Sequence, residues 1–469
     1  MSDTLNQAET YYLDACQHIV EQQYDEAKDL LERALTLAPD FAEALANLAY
    51  LQEKKGQYQD AIALYQRAIN LRPDCLQISL NFGAMLMKQK QFQASESVYR
   101  QALGQDPQHA ATWSNLGVLL ASLKRETEAE QCYRQALAIA PSYDKARFNL
   151  SYLLLRQGHY EEGLSCMEAR AWQDVFSAYF QFPRWNGESL AGKAILITFE
   201  GGCGDMIMFS RYAQQLRHMY ASKISLICQP ELQTLLSSLH DIDEVFSYHD
   251  DLPVSEWDYW VLPMSLPYWC GTRADTIPAQ IPYLFADPSR EQTFAASLST
   301  SGYKVGLVWK GNPQFENDDT RSLASLAELD SILRIPDIRF ISLQKGDAST
   351  AAIGQAQYYG VELFGERLQD FADTAAVMCQ LDMVISVDTA VAHLAGAMGI
   401  PCWVLLPDYC CDWRWGAGSS DTPWYPLQMR LFRQHAGGDW NSVIEAMATL
   451  LPAYLHQLAQ EKQHLMQVL

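Results

Sequence analysis

Residues 194–212 read AILITFEGGCGDMIMFSRY, and this stretch decides the fold of the larger part of the chain. A short apolar run is followed by a loop that contains Gly201, Gly202 and Gly204, and then by a helix-like segment. This order predicts a buried strand, a tight turn and a helix, which together form the unit of a parallel sheet covered by helices. Asp205 stands where the turn enters the helix, and its role has to be decided from the rest of the chain.

The glycine loop departs from the nucleotide-binding loops with known spacing. Ile207 stands where a dinucleotide fingerprint needs its third glycine, Gln229 follows the next apolar run where an acid is expected, and the Walker pattern is absent. Two interpretations of Asp205 remain. It is a general base at the carboxyl end of a strand, or it is an acid favoured in the first helical turn by the helix dipole.

Two series of alternating strand and helix patterns make up the last two thirds of the chain. We predict one α/β domain over residues 190–290, a second over residues 303–440, and a C-terminal helix over 441–469 that packs back. Ligands of such sheets bind at the carboxyl ends of the strands, so we expect a cleft between the two halves.

The second candidate motif is SVDTAVAH, residues 386–393. Asp388 or Thr389 is expected to cap a helix whose free backbone N–H groups and positive end form an anion site. His393 lies four residues after Thr389, so both side chains can face that end. A single histidine is more often structural, but the nearby hydroxyl and strand end favour contact with a ligand.

Other predicted strand ends carry the cations that an anionic ligand requires. Lys310 ends the strand of the second series, and Arg321 closes the polar loop after it. Each alone reads as surface charge, whereas together they match a diphosphate. The predicted donor-binding residues are Lys310, Asn312, Arg321, Gln344, Lys345, Asp388, Thr389 and His393.

The first third of the chain is a repeat array. Pro39, Pro73, Pro107 and Pro141 lie at intervals of 34 residues, and each has an alanine five positions before it. Small residues allow close helix approach and proline ends the second helix of each pair. This is the tetratricopeptide repeat (TPR) signature, and it predicts an α-solenoid over residues 1–172 with four clear repeats and a degenerate fifth.

A ladder of asparagines follows the same period, at Asn47, Asn81, Asn115 and Asn149. Asparagine amides can hold the backbone of an extended polypeptide without reading its side chains, which predicts an acceptor-peptide groove. The alternative is that these amides bond to neighbouring helices of the array.

Composition limits the partners and the compartment. The net charge is −22, with 34 basic and 56 acidic residues, which argues against a nucleic-acid or anionic-membrane surface. The N-terminus does not read as a signal peptide and no apolar run is long enough to span a bilayer. The 11 cysteines are scattered, so we expect reduced thiols in a cytoplasmic protein and no metal site, even where Cys410 and Cys411 adjoin.

A group of aromatic residues follows the last predicted core strand. Stacking on a base or sugar and packing between the two halves are both compatible with it. The group consists of Trp413, Trp415, Trp424 and Tyr425.

The motifs in their order resemble those of glycosyltransferases with the GT-B fold, of the ADP-heptose transferase type. The glycine loop with Asp205 resembles the family's GD loop, and SVDTAVAH resembles its phosphate-binding helix start, with Ala390 in place of the usual glycine. With the TPR array and the segments VWKGNP, SLQKG and DWRWG, nearly the whole chain resembles bacterial TPR-fused glycosyltransferase-like proteins.

The resemblance implies two Rossmann-like α/β domains after the solenoid, and metal-independent, inverting transfer from a nucleotide-sugar. The nucleotide-sugar is then a substrate and no cofactor is expected. Asp205 would be the base, and the cations with the helix start at Thr389 would stabilise the leaving diphosphate. A protein held by the TPR array is the expected acceptor. The alternatives are a lipid-linked or polysaccharide acceptor and a non-catalytic scaffold, and self-association of the repeats stays open.

Overall fold

The computed structural model describes residues 2–253, 256–299, 302–315, 317–346, 350–435 and 438–468. The chain forms two compact units, Met1–Leu153 and Leu154–Leu469. Among the described residues, no helix combines the length and the apolar character needed to cross a membrane.

The first unit consists of paired helices with the predicted period. The small residue twelve positions before each repeat proline is buried in all four clear repeats. Solvent does not reach Ala27, Ala61, Ser95 or Ala129. The helices are α1 Ser2–Val20, α2 Tyr24–Leu37, α3 Ala42–Lys54, α4 Tyr58–Leu71, α5 Leu76–Lys88, α6 Phe92–Gln105, α7 Ala110–Ser122, α8 Glu126–Ile139 and α9 Asp144–Arg156.

Helix pairs in the array pack a large residue against a small one. A Cβ on Gly83 of α5 would lie 2.4 Å from the ring of Tyr99 on α6, and a Cβ on Gly117 of α7 would lie 2.6 Å from the ring of Tyr133 on α8. The two tyrosines therefore fill space that only glycine leaves open. This arrangement confirms the predicted TPR solenoid in the N-terminal part of the chain.

The second unit begins with helices that lead into a four-stranded parallel sheet. Its strands lie in the order β3-β2-β1-β4, and the two central ones are buried apolar runs. The strands are β1 Ala194–Ile197, β2 Lys223–Cys228, β3 Glu244–Ser247 and β4 Tyr259–Val261. The helices are α10 Tyr160–Met167, α11 Trp172–Tyr179, α12 Cys203–Phe209, α13 Ala213–His218, α14 Pro230–Leu236 and α15 Leu266–Trp269.

A six-stranded parallel sheet follows, in the order β10-β9-β8-β5-β6-β7. Its strands are β5 Tyr303–Val308, β6 Ile338–Ser342, β7 Glu362–Leu363, β8 Met383–Val387, β9 Cys402–Leu406 and β10 Met429–Arg433. Its helices are α16 Pro288–Leu298, α17 Asp318–Arg321, α18 Asp330–Leu333, α19 Thr350–Tyr359, α20 Phe371–Met378, α21 Ala390–Met398 and α22 Asn441–Val468.

The core of this sheet is closed by the C-terminal helix α22. Met447, Leu451 and Leu455 of α22 are fully buried against the sheet, and Tyr454 lies 5.2 Å from the ring of Trp403. Burial of these large side chains holds α22 in place.

In both sheets the first strand of the series has a partner on each side. Ile195 of β1 pairs with Ile224 of β2 and with Tyr259 of β4, and Val305 of β5 likewise pairs with β6 and β8. In each sheet, the strands that follow the first one are therefore added on one side of it and later on its other side, so that the strand order reverses at β1 and at β5. The carboxyl edge at such a reversal is where open parallel sheets bind ligands.

The boundary between the two units differs from the one that we predicted. We placed the solenoid over residues 1–172, but the first compact unit ends at Leu153 and α10 belongs to the second unit. A buried ion pair links this region to the first sheet, because Arg170, after α10, donates to Glu200 in the loop after β1.

Candidate functional site

The glycine loop after β1 is shaped around the side chain of Asp205. Gly201 has a φ of +68°, and a Cβ there would lie 2.3 Å from a carboxylate oxygen of Asp205. The backbone N–H of Gly202 donates to the same carboxylate at 2.7 Å. Asp205 therefore caps its own helix α12, which is the structural interpretation that the sequence left open.

The same loop contacts the helix of the second predicted motif. A Cβ on Gly204 would lie 2.9 Å from the Cδ2 atom of His393 and 3.4 Å from the Cα atom of Ala390. Helix α12 and the first turn of α21 are therefore in direct contact, and glycine is the residue that permits it. The structure thus brings together two motifs that are far apart in the sequence.

Arg414 lies at this junction, and the sequence patterns did not point to it. Its Nη1 donates to Asp412 at 2.9 Å and its Nη2 donates to Asp205, while only 7% of the residue is exposed. The guanidinium also lies 4.9 Å from the centre of the Trp413 ring. The available signal was the segment DWRWG, in which an acid and an arginine alternate with tryptophans.

Burial controls the ionisation of the acids in this cluster. It raises the pKa of Asp205, and the attraction of Arg414 opposes that rise. Burial also raises the pKa of Asp388 to about 6, with added repulsion from Asp412 and an opposing attraction from Arg321. The ionisation of Asp205 and Asp388 therefore depends on the balance between burial and the attraction of Arg414 and Arg321.

His393 is buried and has two defined neighbours. Its Nδ1 lies 3.0 Å from the hydroxyl of Tyr425, and its ring stacks on Trp415 at 5.1 Å. Burial, together with the nearby positive charges of Arg414 and Arg211, lowers the pKa of His393 well below the usual value. The imidazole is thus neutral at neutral pH, and it can offer a ligand a hydrogen bond but no positive charge.

The start of α21 keeps some of its capacity to bind an anion. Thr389 precedes the helix, and its hydroxyl lies 3.0 Å from that of Ser386 rather than capping the helix. Within the described part of the chain, the backbone N–H groups of Ala390 and Val391 have no hydrogen-bond acceptor. Such groups at a helix start suit phosphate oxygens.

The other predicted donor residues lie in the loops after β5 and β6. The side chain of Gln344 accepts from the backbone N–H of Lys310 at 3.0 Å, which ties the two loops together. Arg321 pairs with Asp318 at 3.1 Å and contributes to the pKa shifts of the acid cluster.

Two further residues of this group bond within the loops at the edge of the second sheet. Lys345 donates to the backbone carbonyl of Gln369 at 3.2 Å. Asn312 accepts from the backbone N–H of Gln314 at 3.0 Å. In this structure both side chains therefore brace loops.

A second buried ion pair supports the glycine loop from below, and no sequence pattern indicated it either. Arg170 donates to both carboxylate oxygens of Glu200, at 2.5 and 3.1 Å, and to the hydroxyl of Ser265 at 2.7 Å. Burial raises the pKa of Glu200, and the attraction of Arg170 opposes that rise. Glu200 is fully buried, so it positions the loop and does not face a ligand.

The predicted aromatic group is part of the core. Trp413, Trp415, Trp424 and Tyr425 are each at most 3% exposed. Trp424 contacts the ring of Phe209 at 5.9 Å, so that it joins the two sheets. In this structure the group packs between the two halves.

The asparagine ladder bonds within the array. The side chain of Asn47 donates to the sulfur of Cys16 at 3.3 Å, and that of Asn149 donates to the hydroxyl of Ser114 at 3.3 Å. Asn81 accepts from Gln77 at 2.8 Å. These contacts fit the alternative interpretation, and the peptide groove stays a prediction.

Comparison with known proteins supports the repeats and identifies one distant relative. Tetratricopeptide repeat models match residues 19–80 and 82–144. The chain is 29% identical to Protein FlbA of Caulobacter vibrioides over 327 residues, which are 64% of this chain and 53% of that protein. The chain thus spans about half the length of this relative.

Solved structures resemble the chain over a limited part of its length. TTC0263, a thermophilic TPR protein of Thermus thermophilus, is 25% identical over 37% of this chain and 95% of its own, with a TM-score of 0.32. PilF of Pseudomonas aeruginosa is 17% identical over 47% of this chain and 90% of its own, with a TM-score of 0.36. These scores are too low to bear on function.

Proposed function

We propose that the second unit is a metal-independent, inverting glycosyltransferase with two Rossmann-like halves in a GT-B arrangement. The observation that supports the proposal is the contact between the glycine loop and the start of α21, because a Cβ on Gly204, next to Asp205, would lie 3.4 Å from the Cα atom of Ala390. A carboxylate at the carboxyl edge of one sheet, facing an anion site at the carboxyl edge of the other, is what transfer from a nucleotide-sugar requires.

In the proposed reaction, an acceptor hydroxyl attacks the anomeric carbon of the sugar as the bond to the diphosphate breaks. Asp205 takes the hydroxyl proton, and the nucleoside diphosphate leaves with the electron pair. The N–H groups of Ala390 and Val391 and the guanidinium of Arg321 would stabilise the charge that develops on the diphosphate. Neutral His393 would contribute by donating a hydrogen bond.

A protein is the acceptor that the TPR solenoid favours, because TPR arrays are extended protein-binding surfaces. The asparagines of the ladder would have to exchange their present partners for a peptide backbone, as Asn47, Asn81 and Asn149 show. A lipid-linked or polysaccharide acceptor would leave the ladder unused.

The test is a thermal-shift measurement of the full chain with ADP, UDP, GDP, CMP and their common sugars. A ligand at about 100 times its Kd should add about 2.7 kcal/mol to the free energy of unfolding. We expect a shift with one nucleotide. The shift should be reduced in Ala390→Pro, which removes one of the free N–H groups at a helix position that tolerates proline. It should be unchanged in Thr449→Ala, the control substitution of an exposed threonine on α22.

The catalytic part of the proposal is tested separately. The rate at which the sugar is hydrolysed or transferred is measured with the nucleotide-sugar whose nucleotide gives the thermal shift. Asp205→Asn should retain nucleotide binding and lose turnover by at least about 100-fold. Absence of a shift with every nucleotide would leave the non-catalytic scaffold as the better description of the chain.

A further inference from the structure

Arg414 pairs with one carboxylate that is close in sequence and with one that is distant. Asp412 lies two residues away in the same turn, and it accepts both from the backbone N–H of Arg414 and from its Nη1, each at 2.9 Å. Asp205 lies 209 residues away, in helix α12 after the first strand of the four-stranded sheet, and it accepts from Nη2 of Arg414. The pair with Asp412 is therefore built into the turn, whereas the pair with Asp205 depends on the contact between the two halves.

Arg414 lies near the start of α21. Its Nη2 contacts Asp205, and a Cβ on the adjacent Gly204 would lie 3.4 Å from the Cα atom of Ala390. A guanidinium binds phosphate oxygens with the same fork that binds a carboxylate. The indole N–H of Trp413, in the same turn, is buried and has no acceptor among the described residues.

A bound diphosphate would compete with one of the carboxylates for a guanidinium group. Arg414 already pairs with Asp205 and Asp412, and Arg321 already pairs with Asp318. A diphosphate added to this set would bring further negative charge into a buried cluster, where repulsion is weakly screened. Of the three acids, Asp205 is the one whose pair with Arg414 is not fixed by local sequence.

We propose that Arg414 is a diphosphate-binding residue of the donor site, and that in the ligand-free protein the carboxylate of Asp205 occupies its place. A nucleoside diphosphate replaces Asp205 on the guanidinium and releases the carboxylate toward the acceptor. This inference rests on the proposed function.

The exchange of partners couples the two substrates. Loss of the guanidinium contact raises the pKa of the freed carboxyl group, so that Asp205 becomes a stronger base only once the donor is bound. The donor therefore prepares the base that the acceptor hydroxyl needs.

The experiment is a calorimetric titration of the full chain with ADP, UDP, GDP and inorganic pyrophosphate in the presence of EDTA. The variants are Asp205→Asn, Arg414→Gln, Arg414→Lys and the double variant Asp205→Asn/Arg414→Gln. We expect Asp205→Asn to lower Kd about tenfold, since the competitor is neutral. Arg414→Gln should raise Kd at least about tenfold, and Arg414→Lys should raise it less because the charge is kept.

The double variant separates competition from long-range repulsion. If Asp205 acts by occupying Arg414, then Asp205→Asn has no effect on Kd when Arg414 is already glutamine. The same gain in both backgrounds would overturn the inference, because it would show a general charge effect. An unchanged Kd in Arg414→Gln would overturn it too, while the donor site itself would stand.

Failure of the proposed function gives a different result. In that case neither the wild-type chain nor Asp205→Asn binds any of the four probes, and the inference fails with it. Arg414→Gln leaves Asp205 buried without its cation, so each variant is first checked by its unfolding temperature. Should Arg414→Gln not fold, Asp205→Asn is compared with Asp205→Asn/Arg414→Gln, in which no competitor is left, and an equal Kd in these two variants would overturn the inference.

Discussion

The two units of the chain are built on opposite principles. In the solenoid, buried positions contact residues of their own or the next repeat, as Gly83 contacts Tyr99. In the second unit, the residues of the candidate site come from loops far apart, as Asp205 and Arg414 do across 209 residues. A substitution in the repeats should therefore act locally, whereas one in the site should affect the whole second unit.

The largest expected difference concerns buried and exposed ion pairs. Arg170→Met leaves Glu200 charged and buried, and it should lower the free energy of unfolding of the second unit by about 3–5 kcal/mol. Arg67→Met removes a pair with Asp40 in which the two side chains are 50% and 73% exposed, and it should cost less than about 1 kcal/mol. Hydrogen exchange followed by mass spectrometry assigns each loss to its unit. Equal losses would contradict the contrast between the units.

Two carboxyl groups, one in each unit, should contribute to the pH dependence of stability with opposite signs. Burial raises the pKa of Asp388 to about 6, so the folded state holds this proton more tightly than the unfolded state. The stability that results is present below about pH 4 and is lost as the pH rises through about 6, by up to about 3 kcal/mol. Asp388→Asn should remove this loss, as measured by urea unfolding between about pH 4 and pH 7.

Asp25 in the solenoid is the matched carboxylate. Its hydrogen bond from Lys55, at 2.6 Å, lowers the pKa of Asp25, so the stability that it contributes is present above about pH 4 and is lost as the pH falls. Asp25→Asn should therefore reduce stability at about pH 7 and have no effect at about pH 3. The same sign for both variants would show that burial is not what distinguishes the two units.

Two glycine-to-alanine substitutions in the solenoid should differ in their effect on stability. Gly83→Ala places a methyl group 2.4 Å from the ring of Tyr99 and should cost about 1–3 kcal/mol. Gly104→Ala, in α6, meets no atom within 4 Å and should stabilise the helix by about 0.5–1 kcal/mol. Thermal unfolding of the two variants measures the difference. A loss of protection in the second unit on Gly83→Ala would show that the repeats do not act locally.

The repeats could be predicted from the sequence because their contacts recur at a fixed interval. The prolines, the alanines and the large residues between them each report one helix pair, so the solenoid follows from the period. The alternation of strands and helices and the places where the motifs follow strands were also visible, because strand ends are marked by glycine and polar residues. Asp205, Thr389 and His393 were found in this way.

Pairing between distant side chains could not be predicted in the same manner. The Arg414–Asp205 pair and the Arg170–Glu200 pair depend on how two sheets and a helix pack, and no local pattern encodes that geometry. The neutral state of His393 follows from its burial beside aromatic rings, which a spacing of four residues does not reveal. The sequence therefore located the candidate site, but its charge state became visible only in three dimensions.

The pair of Arg170 with Glu200 also has a consequence for how this chain can be divided or recombined. Residues 154–185 follow the repeats in sequence, yet they carry the arginine that neutralises the acid beneath the glycine loop. A truncated protein that begins at residue 190, where the first α/β pattern starts, would keep every predicted site residue of the second unit and lose that arginine. Exchange of the repeat array for another therefore has to keep the residues that follow α9 and cannot begin at the first strand.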